Sequence, residues 1–367
     1  MRVGCPKEIK NHEYRVGLTP GAVREYVAHG HEVLVETGAG AGIGADDNAY
    51  RAAGAAIART AADVFAKSDM IVKVKEPQPD EWVQLRDGQI LYTYLHLAPD
   101  PDQTKGLLDS GVTAIAYETV TDDRGGLPLL APMSEVAGRL SIQAGATALQ
   151  KANGGRGVLL GGVPGVLPGK VLIIGGGTAG MNAAQVATGI GADVTILEVD
   201  VERMRFLDIT MHGAHTLYSN PSALLDALPD IDLIIGAVLV PGAKAPKLIT
   251  REMLHVMKPG TVFVDIAIDQ GGCAETSRPT THDSPTFIEE DVIHYCVTNM
   301  PGAYARTATQ ALTNVTFPYV QWLAEGGISG ACAKHPELSS GINIQAGRVT
   351  NEAVAAAHGL PFSAAEI

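Results

Sequence analysis

Three ionisable side chains in the first part of the chain could bind and protonate a small organic acid. Arg15 precedes a predicted helix, and its guanidinium can hold a carboxylate through two parallel hydrogen bonds. Lys75 is the last residue of an apolar, strand-like run. Lys73 is two residues earlier and would point to the same face of the strand, so either lysine could bind the ligand. The position of Lys75 at the end of the strand favours Lys75. His96 ends another apolar run, and an imidazole there is suited to general acid and base chemistry near neutral pH.

A fourth candidate, Asp269, lies beyond the apolar run 262–268 and before a glycine turn. Its carboxylate could orient water, ammonia or the imidazole of His96. Asp265 is the alternative, although it sits within the apolar run. Each candidate has a purely structural interpretation as well, because charged residues are common in turns and at strand ends.

The strongest local motif is Gly-x-Gly-x-x-Gly at 175–180, directly after the apolar run 171–174 and directly before an alanine-rich helix. In this context Gly175 allows a tight turn, Gly177 lets the backbone approach a pyrophosphate, and Gly180 lets the helix pack closely on the strand. The N-terminus of the following helix offers unpaired N–H groups and the positive end of its dipole to the phosphates. The motif predicts a dinucleotide site.

The next predicted strand ends in Glu198, at about the 20-residue spacing at which an acidic residue binds the ribose hydroxyls. A carboxylate there repels a 2′-phosphate, so the sequence favours NAD over NADP. Arg203 and Arg205 follow closely, and a nearby arginine can accommodate a 2′-phosphate. The preference for NAD is therefore an expectation that these arginines leave open.

The elements that must position these residues alternate between strands and helices. Strands are predicted at 2–6, 31–36, 70–75, 89–95, 112–118, 171–174, 194–197, 233–237 and 262–266. Helices are predicted from the N-cap Thr19 to Gly30, and over 180–189, 308–323 and 351–358, with caps of the usual kind. This alternation indicates an α/β protein with two Rossmann-like domains, parallel sheets and an interdomain cleft. We expect a discontinuous substrate domain, 1–130 plus 306–367, and an NAD-binding domain, 131–305.

Composition excludes several classes of function. The 367 residues include 27 Lys and Arg against 40 Asp and Glu, a formal net charge of −13, which argues against nucleic acid or an anionic membrane as partner. The four cysteines are far apart and form no Cys-x-x-Cys pair, which is typical of reduced thiols in a cytoplasmic protein rather than of disulfides or a metal site. No apolar run is long enough to span a bilayer, and the N-terminus has no signal-like core.

Long, ordered stretches of the chain resemble the L-alanine dehydrogenase family from end to end. The matching stretches are 6–11, 15–20, 72–77, 94–98, 154–165, 235–246 and 264–273. The resemblance implies reversible, NAD-dependent interconversion of L-alanine with pyruvate and ammonium. It assigns substrate binding to Arg15 and Lys75 and the acid/base pair to His96 and Asp269.

The same resemblance implies a set of cofactor contacts, a homohexamer, and C-terminal helices that return to complete the first domain. The implied cofactor residues are Ser134, Gly175, Gly177, Thr178, Ala179, Gly180, Glu198, Arg203, Ser219, Leu239, Ile266, Asp269, Arg278, Val297, Asn299 and Met300. Two positions depart from the family pattern. Glu198 stands where an aspartate is usual, which lengthens the reach of the carboxylate, and Met300-Pro stands where Val-Pro is more common.

Three other interpretations remain. The soluble NAD(H)-binding component of proton-translocating transhydrogenase resembles this family in fold and in the stretch 241–247. It lacks the strand-end histidine and the aspartate that this chain has at His96 and Asp269. A saccharopine- or lysine-forming dehydrogenase would take larger substrates. In an NADH-sensing module the four polar candidate residues near strand ends would have no role.

Overall fold

The structure is a computed structural model that describes residues 1–238 and 245–367. The described strands are β1 (Arg2–Cys5), β2 (Glu32–Glu36), β3 (Ala56–Ala58), β4 (Met70–Val72), β5 (Ile90–Thr93), β6 (Thr113–Ala116), β7 (Lys170–Ile174), β8 (Asp193–Glu198), β9 (Ala214–Tyr218), β10 (Leu233–Gly236), β11 (Val262–Asp265), β12 (Thr286–Glu289), β13 (Val292–Tyr295), β14 (Ile342–Gln345) and β15 (Arg348–Val349). The described helices are α1 (Pro20–Ala28), α2 (Asp47–Ala52), α3 (Ala61–Lys67), α4 (Pro79–Trp82), α5 (Pro101–Ser110), α6 (Ala131–Ala148), α7 (Thr178–Gly189), α8 (Val201–Thr210), α9 (Pro221–Ala227), α10 (Arg251–Leu254), α11 (Ala305–Lys334) and α12 (Glu352–His358).

The chain divides into two compact units. Unit 1 comprises Met1–Met133 and Gly302–Ile367, and unit 2 comprises Ser134–Pro301. The sequence places the corresponding boundaries at 130/131 and 305/306. The substrate and cofactor roles that it assigns to the two parts stay predictions.

Unit 1 contains an eight-stranded sheet in the order β15-β14-β6-β5-β4-β1-β2-β3. The six strands from β6 to β3 are parallel, whereas β14 runs antiparallel to β6 and β15 antiparallel to β14. Apolar side chains from these strands pack against the helices, as shown by the fully buried Phe65, Leu91 and Leu107.

Unit 2 contains a seven-stranded sheet in the order β12-β13-β11-β10-β7-β8-β9. Read from β9, its first six strands are parallel and follow the strand order 3-2-1-4-5-6 of a doubly wound dinucleotide-binding fold. Only β12 is antiparallel to its neighbour within the described sheet. The predicted α/β fold class with two Rossmann-like domains is confirmed, with antiparallel strands added at one edge of each sheet.

Most predicted elements have boundaries within two residues of those in the structure, and two elements differ by more. Thr19 caps α1 by accepting a hydrogen bond from the N–H of Ala22 at 3.3 Å, and Pro20 occupies the first turn. The predicted strand 70–75 ends at Val72, so Lys73 and Lys75 lie in the segment that follows β4. The predicted helix 308–323 lies within the longer α11, which is interrupted at Gly327, where φ is 62° and ψ is −169°.

Within residues 1–238 and 245–367, no helix is both long enough and apolar enough to cross a membrane. The same residues contain no grouping of three or more His, Cys, Asp or Glu side chains that could hold a metal ion. All four cysteines are buried free thiols.

Candidate active site

The predicted site residues of unit 1 follow three adjacent strands. Arg15 lies after β1, Lys75 after β4 and His96 after β5, and the sheet order is β5-β4-β1. Ligands of parallel α/β sheets bind beyond the carboxyl ends of the strands, at the point where the strand order reverses. In unit 1 that point lies between β1 and β4. The topology thus brings the three residues to one edge of the sheet.

Arg15 is buried, with 2% of its surface exposed, and is held by a neighbouring carboxylate. Its Nε and Nη2 donate to the two carboxylate oxygens of Glu13 at 2.8 and 2.6 Å, and its Nη1 lies 3.0 Å from the sulfur of Met133. Burial lowers the pKa of Arg15, but the charge of Glu13 outweighs it and raises the pKa above its usual value. The guanidinium is therefore a permanently charged, pre-oriented group.

Lys73 and Lys75 have different surroundings. The ammonium of Lys73 is completely buried and pairs with Glu8 at 2.9 Å and with Glu81 at 2.8 Å. Burial lowers the pKa of Lys73, but the two carboxylates raise it well above the usual value. Across the described residues no hydrogen bond or ion pair reaches the ammonium of Lys75, although the residue is only 7% exposed.

The charge of Lys75 is felt by Glu76. Burial raises the pKa of Glu76, but Lys75 and then Lys10 lower it, and the net shift is downward. One oxygen of Glu76 pairs with Lys10, whereas its buried Oε2 has no hydrogen-bond partner. A negative carboxylate thus lies within electrostatic range of Lys75 without neutralising it directly.

His96 sits in a strained turn that a second carboxylate holds. Its φ is 50°, a left-handed conformation that costs a residue other than glycine about 1–3 kcal/mol. Glu118, in the turn after β6, accepts the backbone N–H groups of Leu95 at 3.1 Å and of His96 at 2.6 Å. The Nδ1 atom of His96 is 3.9 Å from Glu118, and its ring stacks on Tyr94 with 6° between the planes. Glu118 therefore fixes the turn that presents the imidazole.

In unit 2 the glycine motif has the geometry of a phosphate-binding turn. Gly175 has a φ of 99°, and a Cβ on Gly180 would lie 1.8 Å from the carbonyl oxygen of Gly175. A Cβ on Gly177 would meet nothing within 4 Å, so the space beside this backbone is open. Gly177 is the N-cap of α7 and no side chain caps the helix, which leaves its first N–H groups available to an anion.

Glu198 closes β8 and folds back on the glycine turn. Its Oε2 accepts the N–H of Gly176 at 2.8 Å, and its Oε1 accepts the N–H groups of Val199 and Asp200 at 2.7 and 3.0 Å. The Nε of Arg203 donates to the carbonyl of Gly176 at 2.6 Å. Both charged side chains at this strand end are therefore tied to the same glycine turn.

Asp269 and Asp265 lie in different environments. Asp265 is fully buried and accepts the N–H groups of Ala267 and Cys273 at 3.0 and 2.8 Å and the hydroxyl of Ser277 at 2.6 Å. Burial raises the pKa of Asp265. Asp269 is exposed in the short helical turn Ile266–Gln270 that Asp265 caps.

The remaining implied cofactor residues that the structure describes all lie in unit 2. Ser219 follows β9 and donates its N–H to the backbone carbonyl of Glu198 at 2.8 Å. Ile266 follows β11, and the guanidinium of Arg278 lies over the ring of Phe287, 4.0 Å from its centroid. The others are Ser134 in α6, Thr178 and Ala179 in the first turn of α7, and Val297, Asn299 and Met300 after β13. Leu239 lies outside the described residues.

Two family models cover most of the chain. Residues 4–137 match the model described as the N-terminal domain of alanine dehydrogenase/PNT, and residues 141–352 match the model of its C-terminal domain. Alanine dehydrogenase from Halomonas elongata is 56% identical over 363 residues, which are 99% of this chain and 98% of that protein. The chain belongs to the alanine dehydrogenase family.

Other comparisons agree with this membership of the alanine dehydrogenase family. Alanine dehydrogenase from Bacillus subtilis is 55% identical over 368 residues, covering 100% of this chain and 97% of that protein. A solved L-alanine dehydrogenase structure matches with a TM-score of 0.93 and 49% identity, covering 98% of this chain and 99% of that one. The transhydrogenase structure from Sinorhizobium meliloti matches with a TM-score of 0.82 at 24% identity, which shows a shared fold.

Membership of the alanine dehydrogenase family and the Rossmann-type unit indicate a nicotinamide dinucleotide cofactor. The residues present fit this group. The open space at Gly177 and the uncapped N-terminus of α7 suit a pyrophosphate, and Glu198 stands at the strand end where ribose hydroxyls bind.

Sequence reasoning did not find two carboxylates that hold the candidate residues of unit 1. Glu13 orients Arg15, and Glu118 holds the turn of His96. Asp265, considered as an alternative to Asp269, instead caps the turn that contains Asp269. Glu13 is two residues from its partner and could have been noticed as a neighbour of opposite charge. Glu118 carries no local signal, because its partners come from a different strand.

Proposed function

We propose that the protein catalyses the reversible, NAD-dependent oxidative deamination of L-alanine to pyruvate and ammonium. The observation that supports this proposal most is the difference between the surroundings of Lys73 and Lys75, which follow β4. Lys73 is neutralised by two carboxylates, whereas the ammonium of Lys75 has no ion-pair partner among the described residues. The buried Arg15 follows β1, the strand next to β4 in the sheet. An arginine and a lysine in this arrangement suit a 2-oxo acid, which offers a carboxylate and a carbonyl oxygen.

In this proposal Arg15 binds the substrate carboxylate, and Lys75 donates a hydrogen bond to the carbonyl oxygen. Glu13 already holds one edge of the guanidinium, through Nε and Nη2, so little side-chain entropy is lost when the substrate binds. The charge on Lys75 polarises the carbonyl towards attack by ammonia. Holding the reactants in this way can lower the barrier by roughly 7–11 kcal/mol.

His96 moves the protons of the reaction. After ammonia attacks the carbonyl carbon, His96 gives a proton to the departing hydroxyl, and water leaves as the imine forms. Glu118 holds the strained turn through the N–H groups of Leu95 and His96, so the ring keeps its orientation during proton transfer. Asp269 assists by accepting a proton from the positively charged nitrogen of the adduct that forms when neutral ammonia adds to the carbonyl. In the direction of deamination the same groups act in reverse.

When bound, the nicotinamide dinucleotide supplies the hydride to the imine carbon or accepts it from L-alanine. We propose NAD rather than NADP, because a carboxylate at position 198 repels a 2′-phosphate. The Nε of Arg203 is engaged with the carbonyl of Gly176, which reduces its availability to such a phosphate. We also propose a homohexamer and a cytoplasmic location, the latter supported by four buried free thiols.

The test is the loss of NADH absorbance when purified protein meets pyruvate and ammonium, with NADPH, glyoxylate, 2-oxobutyrate and ammonium-free controls. We expect oxidation that depends on ammonium and is fastest with pyruvate and NADH. His96→Ala should lower kcat by roughly 10²–10⁴-fold. The control His255→Ala, which removes an exposed histidine of unit 2, should behave as wild type.

Two results would contradict the proposal. A folded His96→Ala variant with near-normal turnover removes His96 from the mechanism. NADH binding without turnover of any amino or oxo acid favours an NAD(H)-binding component of the transhydrogenase kind or an NADH sensor.

A further inference from the structure

Lys247 makes a complete set of hydrogen bonds to one loop of unit 2. Its ammonium donates to the carbonyl oxygens of Gly271, Gly272 and Ala274 at 2.6, 2.8 and 2.9 Å. An ammonium group has three donors and no acceptor, so these three carbonyls use its whole capacity. Lys247 therefore has no donor left for a phosphate or a substrate.

The three carbonyls belong to the segment 266–274, which contains Asp269 and is called the Asp269 loop. Gly271 and Gly272 have φ angles of 91° and 77°, and such consecutive left-handed residues are accessible to glycine at little cost. Together with Ala274 they point their oxygens at one atom. Because converging carbonyl dipoles repel one another, the arrangement needs a positive charge at its centre.

Asp265 binds the same loop through its N–H groups, whereas Lys247 binds it through its carbonyl oxygens. Its carboxylate accepts the N–H groups of Ala267 and Cys273, on either side of Asp269. The segment around Lys247 adds main-chain bonds, from the N–H of Ala245 to the carbonyl of Gln270 at 3.0 Å and from the N–H of Leu248 to that of Cys273 at 2.8 Å. A buried anion thus binds the amides of the loop, and a cation from the neighbouring segment binds its carbonyls.

We propose that Lys247 is a positioning residue for Asp269. It ties the loop after β11 to the segment after β10, and so fixes where the carboxylate of Asp269 stands. This inference rests on the proposed function, which gives Asp269 its role in proton transfer. Lys247 itself touches neither substrate nor cofactor in this scheme.

The variant that tests the proposal is Lys247→Met, which keeps most of the length of the side chain and removes its ammonium group. In the direction of L-alanine oxidation we expect kcat to fall about 10- to 100-fold, since misplacement by about 1 Å can cost 10²-fold. The KM for L-alanine should change less than threefold, because Arg15 and Lys75 belong to unit 1. Lys247→Arg should recover only part of the rate, because a planar guanidinium cannot direct three N–H groups as an ammonium does.

The matched control is Lys258→Met in the same unit. Lys258 pairs with the exposed Asp230 at 3.0 Å and contacts none of the residues of the Asp269 loop. It should retain wild-type kcat and KM. A Lys247→Met enzyme whose kcat equals that of Lys258→Met overturns the proposal.

A double-mutant cycle separates positioning from a general loss of structure. If Lys247 acts through Asp269, then Lys247→Met should lower the residual rate of Asp269→Asn by less than about threefold, since coupled residues are not additive. An equal fold-loss in both backgrounds overturns the proposal. Faster hydrogen exchange at the amides of residues 267–273 in Lys247→Met, but not in Lys258→Met, supports it.

The proposed function and this inference fail in different ways. Wild-type protein that turns over no amino acid contradicts the proposed function. Active wild type, together with a Lys247→Met variant that has normal kcat and normal loop exchange, contradicts the positioning role alone.

Discussion

Lys73 and Lys75, which follow β4, are close in sequence but differ in their ion-pair partners. Lys73 is enclosed by Glu8 and Glu81, and its charge balances theirs in the interior. The ammonium of Lys75 meets no such partner in the described parts of the chain, and Glu76 acts on it only from a distance. One charge thus stabilises the fold, and we propose that the other binds the substrate.

Lys73→Met and Lys75→Met should therefore fail in different ways. Lys73→Met leaves two buried carboxylates unpaired and should lower the free energy of unfolding by about 3–5 kcal/mol. Lys75→Met should change thermal stability little and lower kcat/KM for pyruvate at least 100-fold, a loss of roughly 3 kcal/mol of the kind seen when a charge-stabilising donor is removed. Thermal unfolding and steady-state kinetics of the two proteins measure both effects. A stable, active Lys73→Met protein would contradict this assignment.

At this scale the sequence predicts which residue types are available but not which partner each one meets. Lys73 and Lys75 are two residues apart and would share one face of a strand, so the alternation of side chains along a strand cannot tell which of them binds a ligand. Asp265 and Asp269 differ in burial and in bonded N–H groups, which depend on how the loop after β11 closes. Glu118 reaches Leu95 and His96 from another strand, and no local pattern encodes that approach.

The turn between β7 and α7 is the element whose geometry most directly implies a ligand. Its three motif glycines meet different constraints, because Gly175 needs a left-handed backbone, Gly180 faces a main-chain oxygen, and Gly177 faces open space. The constraints on Gly175 and Gly180 come from the protein itself. The open space at Gly177 is constrained only by a ligand that binds there.

Alanine substitutions should separate these constraints. Gly177→Ala should fold as wild type and raise the Kd for NADH at least tenfold, about 1.4 kcal/mol, because its methyl group occupies the space that suits a pyrophosphate. Gly180→Ala places a methyl group against the oxygen of Gly175 and should cost about 1–3 kcal/mol of stability. Gly189→Ala in the same helix meets nothing within 4 Å and serves as control. Unchanged NADH affinity in Gly177→Ala would contradict the placement of the cofactor.

Strong apolar runs predict the central strands well and the edge strands poorly. β7, β10 and β11 are buried and read as continuous apolar segments. In contrast, β9 is half exposed, and the short β14 and β15 follow a helix in a region where only helical structure is expected. Edge strands bury fewer side chains, so their sequences carry a weaker signal.

For the whole molecule, one surface segment of unit 2 is unusually apolar. Val163 and Val166 pair across a tight turn, and Leu159 and Leu167 flank it. These four side chains are 53–88% exposed, and the segment 157–169 contains no charged residue. Contiguous exposed apolar surface is typical of a protein–protein contact, which supports the proposed homohexamer.

Light scattering after size exclusion should therefore give a hexamer for the wild type and smaller assemblies for the double variant Leu159→Ser, Leu167→Ser. In a symmetric oligomer the same interface occurs between each pair of neighbouring subunits, so the loss of apolar area on one surface weakens all of these interfaces. Val83→Ser, which removes an isolated exposed side chain of unit 1, should leave the assembly unchanged. A monomeric wild type at micromolar concentration would contradict the hexamer.

The interleaving of the two units has a consequence for how the protein is made. All of unit 2 lies between the two parts of unit 1, and β6 acquires its neighbour β14 through the pairing of Ile115 with Ile342. At 5–20 residues per second a ribosome needs roughly 10–45 s to cover that interval. During this time β6 is an open sheet edge on a nascent chain, which is a site for unwanted pairing. A ribosome that stalls before β14 therefore releases a finished unit 2 joined to an unfinished, association-prone sheet.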